Sequence, residues 1–210
     1  MKIILCFIAA ISGYLIGGIN PAIVLSKAIY HKDIRTLGSK NPGFTNFKRV
    51  FGPKYAWFVF LLDILKLAIL CLIFSRSFEI VFGSFSLGAA YTGFFTMLGH
   101  CFPLWYNFKG GKAFLAGAAA IWFIDYRVAA IAAGVMLILL FTTKYMSLSV
   151  IISAALCPVM LIIFGTDNPF TVIICLLSVA LLIWRHKENI KRLMNKSETK
   201  FSLFGKNKSR

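Results

Sequence analysis

The sequence predicts an all-α, polytopic integral membrane protein with seven transmembrane helices, the N-terminus outside and the C-terminus cytoplasmic. Three observations carry that prediction. Apolar residues make up 59% of the 210 positions and charged residues 14%, a balance outside the range of ordinary soluble domains. The apolar residues come in runs close to the ~20 needed for a helix to cross a bilayer, with charges mostly at their ends. The 23 Lys and Arg far outnumber the 7 Asp and Glu and sit between the runs, as in cytoplasmic loops. In a soluble chain a net charge of +16 would point to nucleic acid. Here it reads as orientation plus anion binding, and no nucleic-acid partner is expected.

The first run, 3–26, resembles a secretory leader in position. It runs long and lacks a small-x-small cleavage site before the next hydrophilic stretch, so it reads as a retained helix. The second, 55–74, contains Asp63 and Lys66, whose i, i+3 spacing lets them neutralise each other as a packing pair. The third is 84–102. The fourth, 112–125, and fifth, 128–143, are short and joined by Asp125-Tyr126-Arg127, so one long kinked helix is the competing reading. The sixth and seventh are 147–165 and 169–185.

Charge decides between six and seven. With seven spans, segments 27–54, 103–112, 144–146 and 185–210 share one side and hold nineteen of the 23 basic residues. Lys2, Arg76 and Arg127 fall opposite, and Lys66 lies within a span. Fusing the fourth and fifth spans would place the basic tail opposite the basic first loop, against the positive-inside tendency. No internal repeat or inverted pair of broken helices is visible. The chain therefore reads as one domain, 1–194, with a basic cytoplasmic tail, 195–210, mobile at its end. The five cysteines are spread one per apolar segment, so neither a disulfide framework nor a zinc site is expected.

Three polar clusters fall on the basic side. The first, Arg35 to Arg49, includes Gly38, Ser39, Asn41, Gly43, Thr45 and Asn46: turning backbone, hydroxyl and amide groups followed by cations, the ingredients of a phosphate cradle. Its bland alternative is a polar loop whose cations set topology. The second, Gly99 to Lys112, ends in Lys109-Gly110-Gly111-Lys112. Two glycines allow close backbone approach while two ammonium groups neutralise an anion; the alternative is a tight turn with snorkelling lysines. It is not a Walker loop, since GxxxxGK[ST] is absent. His100 either orients this turn by hydrogen bonding or sits as an interfacial histidine. The third, Trp184 to Arg192, would place Arg185, His186, Asn189 and Arg192 on one face of a continuing helix; the alternative is a basic helix end gripping lipid headgroups.

These clusters offer many cations, one well-placed histidine and few carboxylates, Asp33, Glu188 and Glu198 being the cytoplasmic set. That supply does not suit a metal-assisted hydrolase or paired-carboxylate glycoside chemistry. It suits a site that holds phosphate groups at a membrane surface, with acyl chains entering between helices, where an activated acyl group could pass to a phosphorylated acceptor.

Three ordered motifs carry a resemblance across nearly the whole chain, from about Gly13 to Lys200. Gly38-Ser39-Lys-Asn41-Pro-Gly43-Phe-Thr45-Asn46 with Arg49, Gly99-His100-Cys-Phe102-Pro103 with Phe108-Lys109-Gly110-Gly111-Lys112, and Arg185-His186-Lys-Glu188-Asn189-Ile190-Lys-Arg192-Leu193 resemble the motifs of the bacterial acyl-phosphate:glycerol-3-phosphate acyltransferases (PlsY). The segments Leu62-Asp63-Ile64-Leu65-Lys66 and Lys144-Tyr145-Met-Ser147-Leu148 also look like family segments. The resemblance implies seven helices in the bacterial plasma membrane with the active site facing the cytoplasm. It implies transfer of a fatty acyl group from acyl phosphate to the 1-hydroxyl of glycerol 3-phosphate, giving lysophosphatidic acid and phosphate, at the start of phospholipid synthesis. The family uses neither acyl-CoA nor a metal or other cofactor, and it lacks the His-x4-Asp motif of other glycerolipid acyltransferases. This chain agrees, having Thr36, Trp105 and Lys191 five residues after His31, His100 and His186.

Carried over by motif position, Ser39, Arg49, His186 and Asn189 are the expected catalytic residues. Asn41, Gly43, Thr45, Asn46, Lys109, Gly110, Gly111, Lys112 and Arg185 are the expected substrate-binding set, with membrane lipid around a monomer. Glu188 is expected to be structural. The residues permit His186 as a base, since imidazole titrates near neutrality, but the neighbouring guanidinium and lysines favour a role in orienting the acceptor. The family usually has small residues where Lys40, Pro42 and Phe44 stand, and a Gly and a Thr where Ala113 and Ala116 stand. Two rivals stay open at this level: a degenerate paralogue binding phosphate or phospholipid without turnover, and an organic-anion transporter.

Overall fold

The computed structural model describes residues 1–201, and these form ten α-helices with no strand among the described residues. In chain order they are α1 (Lys2–Gly18), α2 (Pro21–Tyr30), α3 (Phe44–Phe51), α4 (Pro53–Phe82), α5 (Phe85–Cys101), α6 (Phe114–Ile124), α7 (Tyr126–Thr143), α8 (Met146–Phe164), α9 (Pro169–Arg185) and α10 (Lys187–Met194). Among the described residues, four spans reach membrane-crossing size by length and composition: α1 with α2, α4, α7 and α8. The bent pair α9–α10 counts as a fifth if taken as one span. The helices α5 and α6, of 17 and 11 residues, are shorter.

The first run is not one straight helix. Pro21 stands at the first turn of α2 and Asn20 caps it, its Oδ1 accepting from the Ile23 N–H at 3.1 Å; that pair restarts the helix. The second run extends well beyond 55–74, because the polar stretch 75–82 continues the same helix to a left-handed Gly83 cap. The separation of α6 from α7 holds: the Asp125 side chain accepts from the N–H groups of Arg127 and Val128 and starts a new helix. The third cluster does not lie on a continuing helix. The chain bends by 58° between α9 and α10 at His186.

The helix α5 is the hub, packing against α1, α4, α6 and α9. Small residues make this possible, as is usual between membrane helices. A Cβ on Gly17 of α1 would lie 2.4 Å from the Thr96 carbonyl oxygen, and one on Gly99 would lie 2.0 Å from that of Tyr14. Asp63 and Lys66 do pair, at 2.8 Å. The five cysteines are free, four of them buried.

The first residues of the tail fold back rather than trailing away. The Phe201 N–H donates to the Lys144 carbonyl at 2.7 Å, and Glu198 enters the cluster described next. Positions 202–210, on which the expectation of a mobile end falls, lie outside the described residues.

Candidate functional site

The three polar clusters meet at one end of the bundle. The first is folded by its own side chains. Gly38 takes φ +56°, and Asn46 braces the turn, its Oδ1 accepting from the Ser39 N–H at 2.8 Å and its Nδ2 donating to the Leu37 carbonyl at 3.0 Å. That leaves Ser39 exposed at the tip, Asn41, Gly43 and Thr45 half-buried, and Asn46 buried. The chain then enters α3 at Gly43, and α3 delivers Arg49. Asn20, at the break in the first span, donates to the Pro42 carbonyl at 3.0 Å and anchors this loop.

The second cluster is tied to the first. Arg35, gripped by the Asp33 carboxylate at 2.7 Å, also donates to the Tyr106 carbonyl at 3.0 Å. That guanidinium holds Asp33 down at about 2, hydrogen bonding from Arg35 outweighing partial burial. Within the turn, the Gly110 and Gly111 N–H groups donate to the Cys101 and His100 carbonyls at 3.2 and 3.0 Å. Their own carbonyls accept from Arg185, Nη2 to Gly110 at 3.0 Å and Nε to Gly111 at 3.1 Å. The N–H groups of both glycines are thus spent inside the protein, and Arg185 holds the turn from the third cluster. Glycine is needed at 111 for space: a Cβ there would lie 2.3 Å from the His100 Nε2. The turn presents Lys112, which precedes α6, while Lys109 is exposed.

Lys112 donates to the Asn189 Oδ1. Asn189 donates through Nδ2 to the Glu198 Oε1 at 2.7 Å, Arg192 donates through Nε to Oε2 at 2.7 Å, and the Ser147 hydroxyl donates to Oε1 at 3.0 Å. Arg49 lies within electrostatic reach of Glu198 and Arg192, and its Nε is buried without a hydrogen-bond partner among the described residues. One carboxylate therefore faces Arg49, Lys112 and Arg192, with Arg185 close by. Burial, then the neighbouring Arg192, push the Lys112 ammonium down to about 8, and burial lowers the Arg49 guanidinium. The carboxylate doing this work is Glu198. Glu188, expected to be structural, is exposed.

His186 is buried, and its Nδ1 lies 2.8 Å from the Leu182 carbonyl. A carbonyl only accepts, so Nδ1 carries the proton and Nε2 is left as an acceptor. Burial holds the imidazole down at about 4, against the support of that hydrogen bond. It is neutral near pH 7 and a weak base. Among the described residues no three His, Cys, Asp or Glu side chains gather as metal ligands would.

An apolar cavity of about 360 Å³ opens between the helices beside this cluster. Its lining includes Phe94, Met97, Phe114, Cys175 and Leu182, and Phe114 and Leu182 lie about one turn or less along the chain from Lys112 and His186. The arrangement can neutralise phosphate oxygens at one end and shelter an acyl chain at the other.

Comparison with known proteins finds relatives over nearly the whole chain. The family model described as glycerol-3-phosphate acyltransferase matches residues 7–196. A glycerol-3-phosphate acyltransferase 2 of Bacillus cereus is 37% identical over 202 residues, covering 96% of this chain and 98% of that protein. The glycerol-3-phosphate acyltransferase of Rhizobium etli is 34% identical over 197 residues, covering 94% and 92%. The crystal structure of PlsY, an integral membrane glycerol 3-phosphate acyltransferase, in its glycerol 3-phosphate form superposes with a TM-score of 0.86 at 33% identity, covering 95% of this chain and 99% of that one. The lysophosphatidic acid form gives 0.82 at 32% identity, covering 94% and 95%.

Proposed function

We propose, from the premise that the chain belongs to the glycerol-3-phosphate acyltransferase family of PlsY, that it catalyses acyl transfer from acyl phosphate at the cytoplasmic face of the bacterial plasma membrane. It is an integral membrane acyltransferase that acylates glycerol 3-phosphate. The 1-hydroxyl oxygen attacks the acyl carbonyl carbon, the bond from that carbon to the phosphate oxygen breaks, and lysophosphatidic acid and inorganic phosphate leave. The nineteen basic residues grouped on one side support seven crossings with the N-terminus outside, α5 and α6 being short spans sheltered by their neighbours. Domain 1–194 acts as a monomer, extended by the tail segment that carries Glu198.

The observation that carries this reading is the convergence of Arg49, Lys112 and Arg192 on one carboxylate, with the buried Arg49 Nε left unpaired among the described residues. A buried cationic N–H without a partner is costly unless a ligand oxygen meets it. Arg49 and Lys112 neutralise the phosphates, and the exposed Ser39 at its braced turn, with Asn41, Gly43 and Thr45, receives the acyl phosphate. His186 accepts the acceptor hydroxyl at Nε2, with Asn189 beside it. Since its imidazole is a weak base, it orients the nucleophile while the substrate's own phosphate takes the proton. Gly110, Gly111, Asn46 and Arg185 shape the walls, Lys109 steers anions from outside, and the apolar cavity takes the acyl chain. Positioning and charge neutralisation then supply most of the acceleration.

The test is a matrix of donors and acceptors with purified protein in lipid. Palmitoyl phosphate with glycerol 3-phosphate should give lysophosphatidic acid and phosphate in equal amounts. Binding of glycerol 3-phosphate without turnover would identify a non-catalytic paralogue. Uptake into sealed vesicles without donor consumption would identify a transporter.

A further inference from the structure

Behind the Gly110–Gly111 turn lies a buried ionic cluster that the reaction as described does not use. Lys66 of α4 points its ammonium into the break between α1 and α2, donating to the Gly17 and Ile19 carbonyls at 3.0 and 2.9 Å. The helix interruption at Asn20–Pro21 strips those carbonyls of intrahelical partners. The same Nζ meets Asp63 Oδ1 at 2.8 Å and the His100 Nδ1 at 3.3 Å, and Asp63 Oδ1 is 3.5 Å from that Nδ1. Asp63 and His100 are 2% and 5% exposed. The other edge of the His100 ring lies under Gly111, where the missing Cβ leaves it room, and the His100 carbonyl receives the Gly111 N–H.

We propose that Asp63, Lys66 and His100 are positioning residues for acyl transfer: together they fix the His100 ring as the floor of the Gly110–Gly111 turn and so set the position of the Lys112 ammonium. This rests on Lys112 being part of the substrate site. A packing pair alone needs only Asp63 and Lys66, since opposite charges neutralise each other at membrane depth. Here the pair has a third member, and that member bears on the turn. Lys66 also joins three separate elements, the first-span break, α4 and the end of α5, at one nitrogen. The Pro42 carbonyl, held by Asn20 at the same break, lies 3.1 Å from the space a Gly111 Cβ would fill. The first-span break therefore braces both the first and second clusters, and a shift in this cluster moves the turn relative to Asn189 and Arg49.

The experiment compares His100→Asn, His100→Gln and His100→Leu, each purified in lipid, for thermal midpoint and for kcat and KM with glycerol 3-phosphate. Asparagine can place a polar atom where Nδ1 meets Lys66, whereas glutamine reaches towards the Nε2 side and leucine offers neither. His100→Asn should keep KM within about two-fold of wild type, and His100→Gln and His100→Leu should raise it about ten-fold or more, a displaced binding group being enough for such losses. Leu70→Ala is the control, a buried position on α4 among Ala9, Phe74 and Phe78; it should lower the midpoint and leave KM unchanged. Wild-type KM in both His100→Gln and His100→Leu, equal KM in the asparagine and glutamine variants, or a KM shift in Leu70→Ala matching theirs would overturn the proposal. If His100→Leu does not fold, the asparagine and glutamine pair decides alone. Lys112→Met separates the two readings. A wild-type KM there removes the site itself, whereas a raised KM there beside normal His100 variants removes only the positioning role.

Discussion

Glu198→Gln is the perturbation whose size follows most directly from the structure. The Glu198 side chain is 9% exposed and holds Asn189, Arg192 and Ser147 at 2.7, 2.7 and 3.0 Å. Glutamine keeps one acceptor oxygen but removes the only carboxylate described among Arg49, Lys112 and Arg192, and it turns a donor towards one of the former partners. Breaking a buried pair costs ~3–5 kcal/mol, but Arg192 is 40% exposed and water relieves part of that. The net loss should be about 2–3 kcal/mol, and at ~2–4 °C per kcal/mol for a chain of this size the midpoint falls by about 5–10 °C. The pH dependence has a defined sign. Burial opposes the charged form, yet hydrogen bonds from Asn189, Arg192 and Ser147 hold the carboxyl below its ordinary 4.5. A depressed folded value means that the stabilisation is complete above the unfolded value and is lost as the pH falls from there through the folded one. Thermal melting in detergent from about pH 7 to about pH 2 tests both points: wild type should lose stability on the limb below about pH 4.5, and Glu198→Gln should start lower and lose less. A midpoint for Glu198→Gln equal to wild type at neutral pH, with the same acid limb, would refute the reasoning.

Ser39→Ala and Arg49→Ala should each abolish product formation while the protein elutes and melts as a folded species, and wild-type turnover in both would remove the assignment. Palmitoyl-CoA in place of palmitoyl phosphate should give no lysophosphatidic acid, and efficient use of the thioester would overturn the donor. In the free enzyme Lys112 titrates at about 8, so kcat/KM for glycerol 3-phosphate should fall as the pH rises through that value. In Lys112→Arg that fall should vanish, because guanidinium stays charged. Ala113 adopts φ +55° and is 2% exposed. Ala113→Gly relieves ~1–2 kcal/mol of left-handed strain and loses ~0.8 kcal/mol of methyl burial. Stability should change by less than about 1 kcal/mol with activity equal or raised, and a clear loss of activity would contradict this.

Much of the fold was legible because apolar runs and charge placement are local signals. The separate α6 and α7 follow from Asp125 as a helix starter, which the sequence displays outright. The break at Asn20–Pro21 was also written there, as a cap followed by a proline, but a continuous apolar run concealed it. Phe44, Phe47 and Phe51 have the spacing of the short amphipathic α3, hidden within a loop read for its polar residues. The site was legible as residue types and not as wiring. Nothing local says that the Gly110 and Gly111 amides turn inward to Cys101 and His100, or that Arg185 closes over them. Glu198 was the least visible member: a lone carboxylate in a basic tail gains meaning only when the 58° bend at His186 brings α10 and the residues after it back over Ser147.

The central claim is that three distant segments form one anion site, and the affinity for glycerol 3-phosphate reports on it directly. Calorimetric titration of Arg49→Met, Lys112→Met and His186→Leu, one variant from each segment, should show each binding at least about ten-fold more weakly than wild type, as removing a charge-assisted or buried hydrogen bond implies. Unchanged affinity in the variants from any two of the segments would contradict a shared site.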